Sequence, residues 1–582
     1  MESLPETTRS ERDSLLGREI TPGDTLTHRS TGSIFSSWSA FGESLRRPGS
    51  WRPLSWRPLI ASRHTLGLVV TVFVLLGVAC SVSWISRSFG TDDDDLNLNP
   101  VEYDKFVQAM YELEQRIQGN LVWPSDGAVF VNASHVWNQC FRGQPPAVVI
   151  EVADEADVQI ALPVLGDIQK NFSIPFRIRS GGHSYAGWST VPNGIILSLS
   201  SLSHLDFQLD DSEETAIVSV GPAVRARDIL EQVVVKHGFG SVIGSCPDVA
   251  EGGYTLGGGQ GGLARAYGLA IDSLKEARVV LADGKVVTTS ATEHPDLFWA
   301  LRGAGQGNFG VVTEMKFTYY PTNKSMLLVK GTIPLHLAYK FLTKFGTSNP
   351  PVWAGATFKN VHMQDVGVSN LPLFAALWWN GDDLLQGQTF WNTTLRRLLP
   401  SEVVDAFTFE TIPWYAQSTQ DFSANEELRV RVYNGFLYPK QNTPSTWQYI
   451  MDHLWIIAQQ TEYGSIVFEY WGGNSTFNAM APNATAFYWR DAVYNVRLEM
   501  LVPADLGPEE FESQQSLFDS QWVFVQPYLT GSYANYPQAS LDHPSQTTYG
   551  GNLQRLKQIK RQYDPANVFR HPHGIPLSDK VS

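Results

Sequence analysis

The sequence predicts an α+β protein of several domains, held to a membrane by one N-terminal helix. Three observations carry this expectation. Thr65–Ser86 ("TLGLVVTVFVLLGVACSVSWIS") contains no charged residue, and Leu66–Ile85 is about as long as a helix crossing a bilayer core. Between residues 147 and 178 an apolar run, a helical period and a second apolar run follow one another, the alternation of an α/β region. From about residue 323 the texture changes to aromatic-rich strand-like runs among helices ("LFAALWWNGDD", "VFEYWGG", "AVYNVRLEML"), which reads as a second domain with a mainly antiparallel sheet. The 582 residues suffice for two or three domains. With 43% hydrophobic and 17% charged residues, most of the chain should be globular. The net charge of −15 disfavours a nucleic acid partner, because phosphate binding needs a basic face.

The N-terminal elements set the topology. Residues 1–64 are rich in Ser, Thr, Arg and Gly without a sustained apolar period, and read as a disordered cytosolic tail. Within it "ERDSLL" (Glu11–Leu16) resembles an acidic dileucine sorting signal for endosome or vacuole. The span 65–86 reads as a signal anchor; a cleaved signal peptide would start nearer residue 1 and be shorter. Arg46, Arg47, Arg52, Arg57 and Arg63 precede it and Asp92, Asp93, Asp94 and Asp95 follow it, which places the N-terminus in the cytosol and the body in the lumen or outside. Six sequons agree with that side: Asn132, Asn171, Asn323, Asn392, Asn474 and Asn483. Of three cysteines, Cys80 lies in the span, and Cys140 and Cys246 are too few for a disulfide scaffold.

The body follows in order. Residues 87–135 form a linker and an amphipathic helix, with Phe106, Met110, Leu113 and Ile117 at helical spacing. Ala147–Val152 is a strand, Asp154 caps a helix carrying Val158, Leu162 and Leu165, and Ile174–Ile178 is a second strand. It ends in "RSGGHS", which alone would pass for a tight turn with an incidental histidine. Seven of the eleven residues Gly252–Gly262 are glycine, a composition that lets backbone N–H groups approach a phosphate closely. The spacing fits neither a Rossmann fingerprint nor a Walker loop.

Five segments occur in one order: "RIRSGGHSYAGWS", "GSCPDVAEGGYTLGGGQGGLARAYGLAIDSL", "DLFWALRGAGQGNFGVVTEMKF", "SYANYP" and "YGGNLQRLKQIKRQYDPANVFR". Together they resemble the berberine bridge enzyme-like FAD-linked oxidases of the vanillyl-alcohol oxidase superfamily, fungal members among them, over roughly Val136–Pro576. The resemblance implies a PCMH-type, two-subdomain FAD-binding domain over 136–322 and a substrate domain over 323–540. It also implies that 541–582 returns to the first domain. It implies FAD held by two covalent links, His183 to the 8α-methyl and Cys246 to C6. Arg179, Ser180, Gly181, Gly182 and Ser184 would hold the pyrophosphate. Gly253, Gly257, Gly258 and Gly262, with Tyr267 and Gly268, and then Asn308, Gly310, Val311 and Val312, would line the ribityl, ring and adenine regions. Tyr549 and Asn552 would be structural or flavin-side. Val249 stands where oxygen-reacting members resemble this chain.

On the substrate side the resemblance points to Tyr536 of "SYANYP" as base. A phenol of pKa about 10 needs a nearby cation for that role, and Arg497, where relatives often have Gln, is the candidate. Trp378 and Trp379 read either as a sugar platform or as one core and one surface residue of a strand. Cys140 reads as a buried small hydrophobe. His571 and His573 are too few for a metal site. The expected activity is hydride transfer from a substrate C–H to the flavin and on to O₂, giving H₂O₂. The substrate would be a small molecule, a secondary metabolite or the reducing end of an oligosaccharide. A dehydrogenase with another acceptor and a non-catalytic flavin-fold protein are the alternatives.

Overall fold

The computed structural model describes residues 98–211, 213–360, 371–414 and 427–578, which belong to a single unit. The tail, its dileucine motif and the 65–86 span lie outside the described residues. Among the described residues no helix is long and apolar enough to cross a membrane.

The first sheet contains β1 (Asn120–Val122), β2 (Val148–Glu151), β3 (Phe176–Arg179) and β4 (Ile195–Ser198), in the order β1-β2-β4-β3. Strand β2 is parallel to β4, and β3 is parallel to β4. The connection between β2 and β3 is the helix Glu155–Phe172, whose Asp154 cap accepts the Asp157 N–H at 3.1 Å. Asp157, buried in the first turn, accepts from the Gln118, Gly119 and Ala153 N–H groups and ties the helix start to the chain entering β1. Val158, Leu162 and Leu165 pack on Val148, Ile150, Ile195 and Leu197, and Phe106, Met110 and Leu113 of the helix Pro100–Glu114 join them.

The second sheet contains β5 (Leu205–Leu209), β6 (Ala216–Val220), β7 (Phe239–Gly240), β8 (Leu274–Val280), β9 (Val286–Ser290) and β10 (Val311–Pro321). Its order is β5-β6-β10-β8-β9, with β7 also on β10. The C-terminal helix Leu553–Tyr563 packs Leu553, Leu556 and Ile559 into this core, and Val568 and Phe569 enter the core of the first sheet.

The third sheet is antiparallel. Its strands are β11 (Ser325–Ile333), β12 (Ala354–Asn360), β13 (Leu373–Trp379), β14 (Thr408–Pro413), β15 (Leu428–Leu437), β16 (Gly464–Tyr470) and β17 (Tyr494–Pro503). They run in the order β14-β11-β13-β12-β16-β17-β15. Successive side chains of a strand point to opposite faces, and this decides what each face does. Phe358, Leu377, Trp379, Phe468, Val496 and Leu498 face a core built with the helices Leu335–Gly346, Leu384–Leu398, Pro444–Gln460 and Pro508–Val525. Their neighbours Thr357, Lys359, Trp378, Val467, Glu469, Arg497 and Glu499 line a cavity on the opposite face. Asn132, Asn171, Asn392, Asn474 and Asn483 are exposed. Asn323 is half-buried, its amide donating to the Asn380 carbonyl at 3.1 Å.

Candidate active site

Two cavities meet at the junction of the three sheets. The first, about 270 Å³, is walled by Ser180–Tyr185 after β3, by Cys246, Val249, Ala250, Gly252 and Gly253, by Gly305–Gly307 and Gly310–Val312, by Asn535 and Tyr536, and by Val568–His571. The second, about 250 Å³, lies on the open face of the third sheet, and both share Ser245, Gln260 and Arg497.

The wall of the first cavity is backbone-rich because its segments approach too closely for side chains. A Cβ on Gly181 would stand 2.7 Å from the Cβ of Ala250, and one on Gly252 would stand 2.9 Å from Pro222. A Cβ on Gly253 would meet nothing within 4 Å, since that position opens into the cavity. Gly182, at φ +72°, turns the chain so that His183 follows. The His183 ring stacks on Trp137 with centroids 5.3 Å apart and planes at 15°. Burial first, then Arg225, Arg227 and His135, lower its pKa to about 4, so the imidazole is neutral. Cys246 is a free thiol on the same cavity. Burial raises its pKa, while the Val249 N–H, Arg227 and Arg225 pull the other way. Those arginines are fixed against the Cys246 segment: the Ala226 and Arg227 N–H groups donate to the Val249 and Pro247 carbonyls at 3.0 Å, and both guanidinium groups pair with Asp248.

This wall fits FAD. Close-approach glycine loops suit a pyrophosphate, and two side chains able to act as nucleophiles, one neutral imidazole and one thiol, stand on the same cavity. Ser180, Gly181, Gly182, His183, Ser184, Cys246, Val249, Gly253, Gly310, Val311 and Val312 are the residues that would hold it.

Other expected cofactor residues lie elsewhere, for identifiable reasons. The Arg179 side chain turns to the Ala133 and His135 carbonyls and Ser198, and fixes the chain before β1's partner strand rather than the cavity. At Gly257 a Cβ would meet Asn535 and Gln306, and at Gly258 it would meet Tyr533; these glycines admit neighbouring protein segments. The Gly262 carbonyl accepts from Trp378 and Asn380 on the second cavity. Tyr267 stacks on Tyr320, centroids 4.4 Å apart. Gly268 turns the chain at φ +84° beside Asp272. Asn308 is a buried knot, binding the Ala304 carbonyl, the Tyr549 hydroxyl and the Ile575 N–H. Asn552 holds the carbonyls of Pro482, Thr485 and Ala486.

Between the cavities stands a chain of polar side chains. The Tyr536 hydroxyl donates to Glu469 Oε1 at 3.2 Å, and Arg497 Nη1 reaches the same oxygen at 2.9 Å. Arg497 Nε lies 3.2 Å from Glu499 Oε1, which also accepts the Tyr185 hydroxyl at 3.1 Å. The guanidinium sits 4.3 Å from the Tyr536 ring centroid, and Tyr185 and Tyr536 meet edge to face. Burial, with Glu469 and Tyr185 adding to it and Arg497 opposing, holds the Tyr536 pKa well above its ordinary value. Burial and then Glu499 do the same for Tyr185. Glu469 Oε2 is buried with no hydrogen-bond partner. The cation expected beside Tyr536 is therefore present, but two carboxylates neutralise it, and the phenol is kept protonated.

Sequence reasoning did not find Glu469, Glu499 or Tyr185. The available signal was the polar-apolar alternation of "NVRLEML" and of "SIVFEY", which puts Arg497, Glu499 and Glu469 on one face. Of the tryptophan pair, Trp378 lines the second cavity and Trp379 is core. Cys140 packs with its thiol on the Val430 carbonyl. Among the described residues no cluster of His, Cys, Asp and Glu could hold a metal.

Comparison with known proteins places this geometry. The model of an FAD binding domain matches residues 146–290, and that of berberine and berberine-like proteins matches 532–576. The FAD-linked oxidoreductase OXR1 of Pyricularia oryzae is 31% identical over 459 residues, covering 74% of this chain and 85% of that one. The xylooligosaccharide oxidase of Thermothelomyces thermophilus is 25% identical over 451 residues, covering 74% and 87%. The solved chitooligosaccharide oxidase shares the fold, with a TM-score of 0.69 and 22% identity, over 80% of this chain and 99% of that one. With an FAD-binding wall, a family match over both halves of that wall and a relative aligned along most of its length, the chain belongs to the berberine bridge enzyme-like FAD-linked oxidoreductases.

Proposed function

We propose that this oxidoreductase is an oxidase with FAD linked through both His183 and Cys246, acting on a hydroxylated small molecule seated in the second cavity. Bound FAD supplies a two-electron acceptor for a substrate C–H and a route for those electrons to O₂, giving H₂O₂. The protein supplies the proton path. Tyr536 Oη takes the substrate hydroxyl proton as its own passes to Glu469 Oε1, so no free phenolate is required. Arg497 keeps both carboxylates oriented. The observation that carries this reading is the position of the Tyr536–Glu469–Arg497 cluster, with Tyr536 on the cofactor cavity, Glu469 on the second cavity and Arg497 on both.

A carbohydrate substrate is the second reading. Trp378 and Trp414 on a wall otherwise carrying Thr357, Asn380, Ser465 and charged groups suit a hydroxyl-rich ring, and relatives include a xylooligosaccharide oxidase and a carbohydrate oxidase. A secondary metabolite remains the first reading, with the body lumenal, N-glycosylated and anchored by the 65–86 span. Peroxide formation coupled to oxidation, screened over oligosaccharides and aromatic alcohols, tests the activity. Turnover with an artificial acceptor but no peroxide would make the enzyme a dehydrogenase.

A further inference from the structure

The turn that carries His183 is fastened to a second stretch of chain, His135–Asn138, which follows the helix Ala128–Ser134. Arg179 Nη1 donates to the His135 carbonyl at 3.4 Å, the Trp137 N–H donates to the Gly182 carbonyl at 3.1 Å, and Asn138 Nδ2 donates to the Tyr185 carbonyl at 2.6 Å. The two stretches are therefore tied together both before and after His183. Asn138 is fully buried, and its amide also closes two bonds of 2.9 Å with the Val430 backbone of β15. That anchor holds the stretch to the third sheet.

Between these ties the Trp137 indole lies on the His183 imidazole, with the planes 15° apart. The same indole meets Tyr185 edge to face, centroids 5.4 Å apart. Among the described residues the imidazole makes no hydrogen bond, so stacking orients it. His183 stands on the wall of the cofactor cavity and Trp137 does not. Any effect of the indole on a bound cofactor therefore passes through His183.

The proposed His183 link is sensitive to that orientation. It joins an imidazole nitrogen to the 8α carbon, and breaks one C–H bond of the methyl and the N–H of the imidazole. The two electrons pass through the flavin to O₂, and with the two protons released they make H₂O₂. A neutral imidazole carries the lone pair that the attack needs. A histidine side chain has several staggered rotamers, and the reacting atoms must be aligned at about 3–3.5 Å, a misplacement of about 1 Å costing on the order of 10²-fold in rate.

We propose that Trp137 is a positioning residue for the attachment of FAD to His183, its indole face holding the imidazole in the orientation that aims a ring nitrogen at the 8α-methyl. The proposal rests on the His183 link and not on the Cys246 link.

The test uses the full chain in two backgrounds. In Cys246→Ala only the His183 link can form, and in His183→Ala only the Cys246 link. Each protein is incubated in air with added FAD, and samples taken over time are acid-precipitated to separate linked from loose flavin. In Cys246→Ala, Trp137→Leu should slow linkage by about 10- to 100-fold, with total flavin per chain before precipitation unchanged. Trp137→Phe keeps an aromatic face and should restore most of the rate. In His183→Ala, Trp137→Leu should leave linkage at its usual rate, a result that loss of the local fold would not give. Linkage in Cys246→Ala as fast with Leu as with Trp overturns the proposal, and so does Phe no faster than Leu. An equal loss in both backgrounds also overturns it and makes Trp137 a residue of the fold. Flavin released from Cys246→Ala with Trp137 intact overturns the His183 link itself, and the proposal with it.

Discussion

Glu469 is bound at one oxygen by Tyr536 and Arg497 and open at the other. In the proposed mechanism it receives the proton that Tyr536 gives up. Glu469→Gln keeps the shape and the contact with Tyr536 but cannot take a proton. Steady-state kinetics should show kcat lowered by about 10²–10⁴-fold, with flavin content unchanged; a variant retaining full kcat would remove Glu469 from the path. Tyr536 and Arg497 were singled out through the resemblance, as the tyrosine of "SYANYP" and the residue where relatives often have Gln, and the structure sets them side by side. Glu469 and Glu499 were not, because an isolated acid in a strand means nothing until the register of β16 on β17 sets Val467 opposite Arg497 and Ser465 opposite Glu499. The loop Arg179–Ser184 is expected to offer its backbone N–H groups to a pyrophosphate, and the Arg179 side chain itself binds the Ala133 and His135 carbonyls.

At the scale of elements, the two-residue period of the third sheet separates stability from function. Trp379 is buried in the helix-packed core, while its neighbour Trp378 stands on the second cavity with its indole N–H on the Gly262 carbonyl. Trp379→Ala should cost about 3–5 kcal/mol in denaturant unfolding. Trp378→Phe should cost far less and instead raise KM, as initial rates over a substrate series would show. A Trp378→Phe enzyme with unchanged KM for every substrate would remove that ring from the substrate wall. The elements themselves were largely readable. The Asp154 cap and the 3–4 spacing from Val158 predicted the helix now seen at Glu155–Phe172. The use of each glycine was not readable, since Gly253 facing a cavity and Gly257 admitting Asn535 look alike in sequence.

At the scale of the molecule, the cofactor region is a buried neutral-histidine environment. Burial lowers His183 to about 4, His571 to about 3 and His573 to about 4. Each binds fewer protons folded than unfolded between its folded pKa and about 6.5, so stability is full above about pH 6.5 and falls as the pH drops toward 4. Denaturant melts of flavin-free protein from pH 7 to pH 4.5 should show that decline, with proton uptake on unfolding near pH 5. A flat profile would mean that these rings are hydrated.

The double link through His183 and Cys246 is the central claim, and acid precipitation tests it most directly. Wild-type protein, His183→Ala, Cys246→Ala and the double variant are precipitated, and flavin absorbance is read in pellet and supernatant. The account predicts flavin in the pellet for the wild type and for each single variant, and in the supernatant for the double variant. Flavin released from the wild type would contradict it.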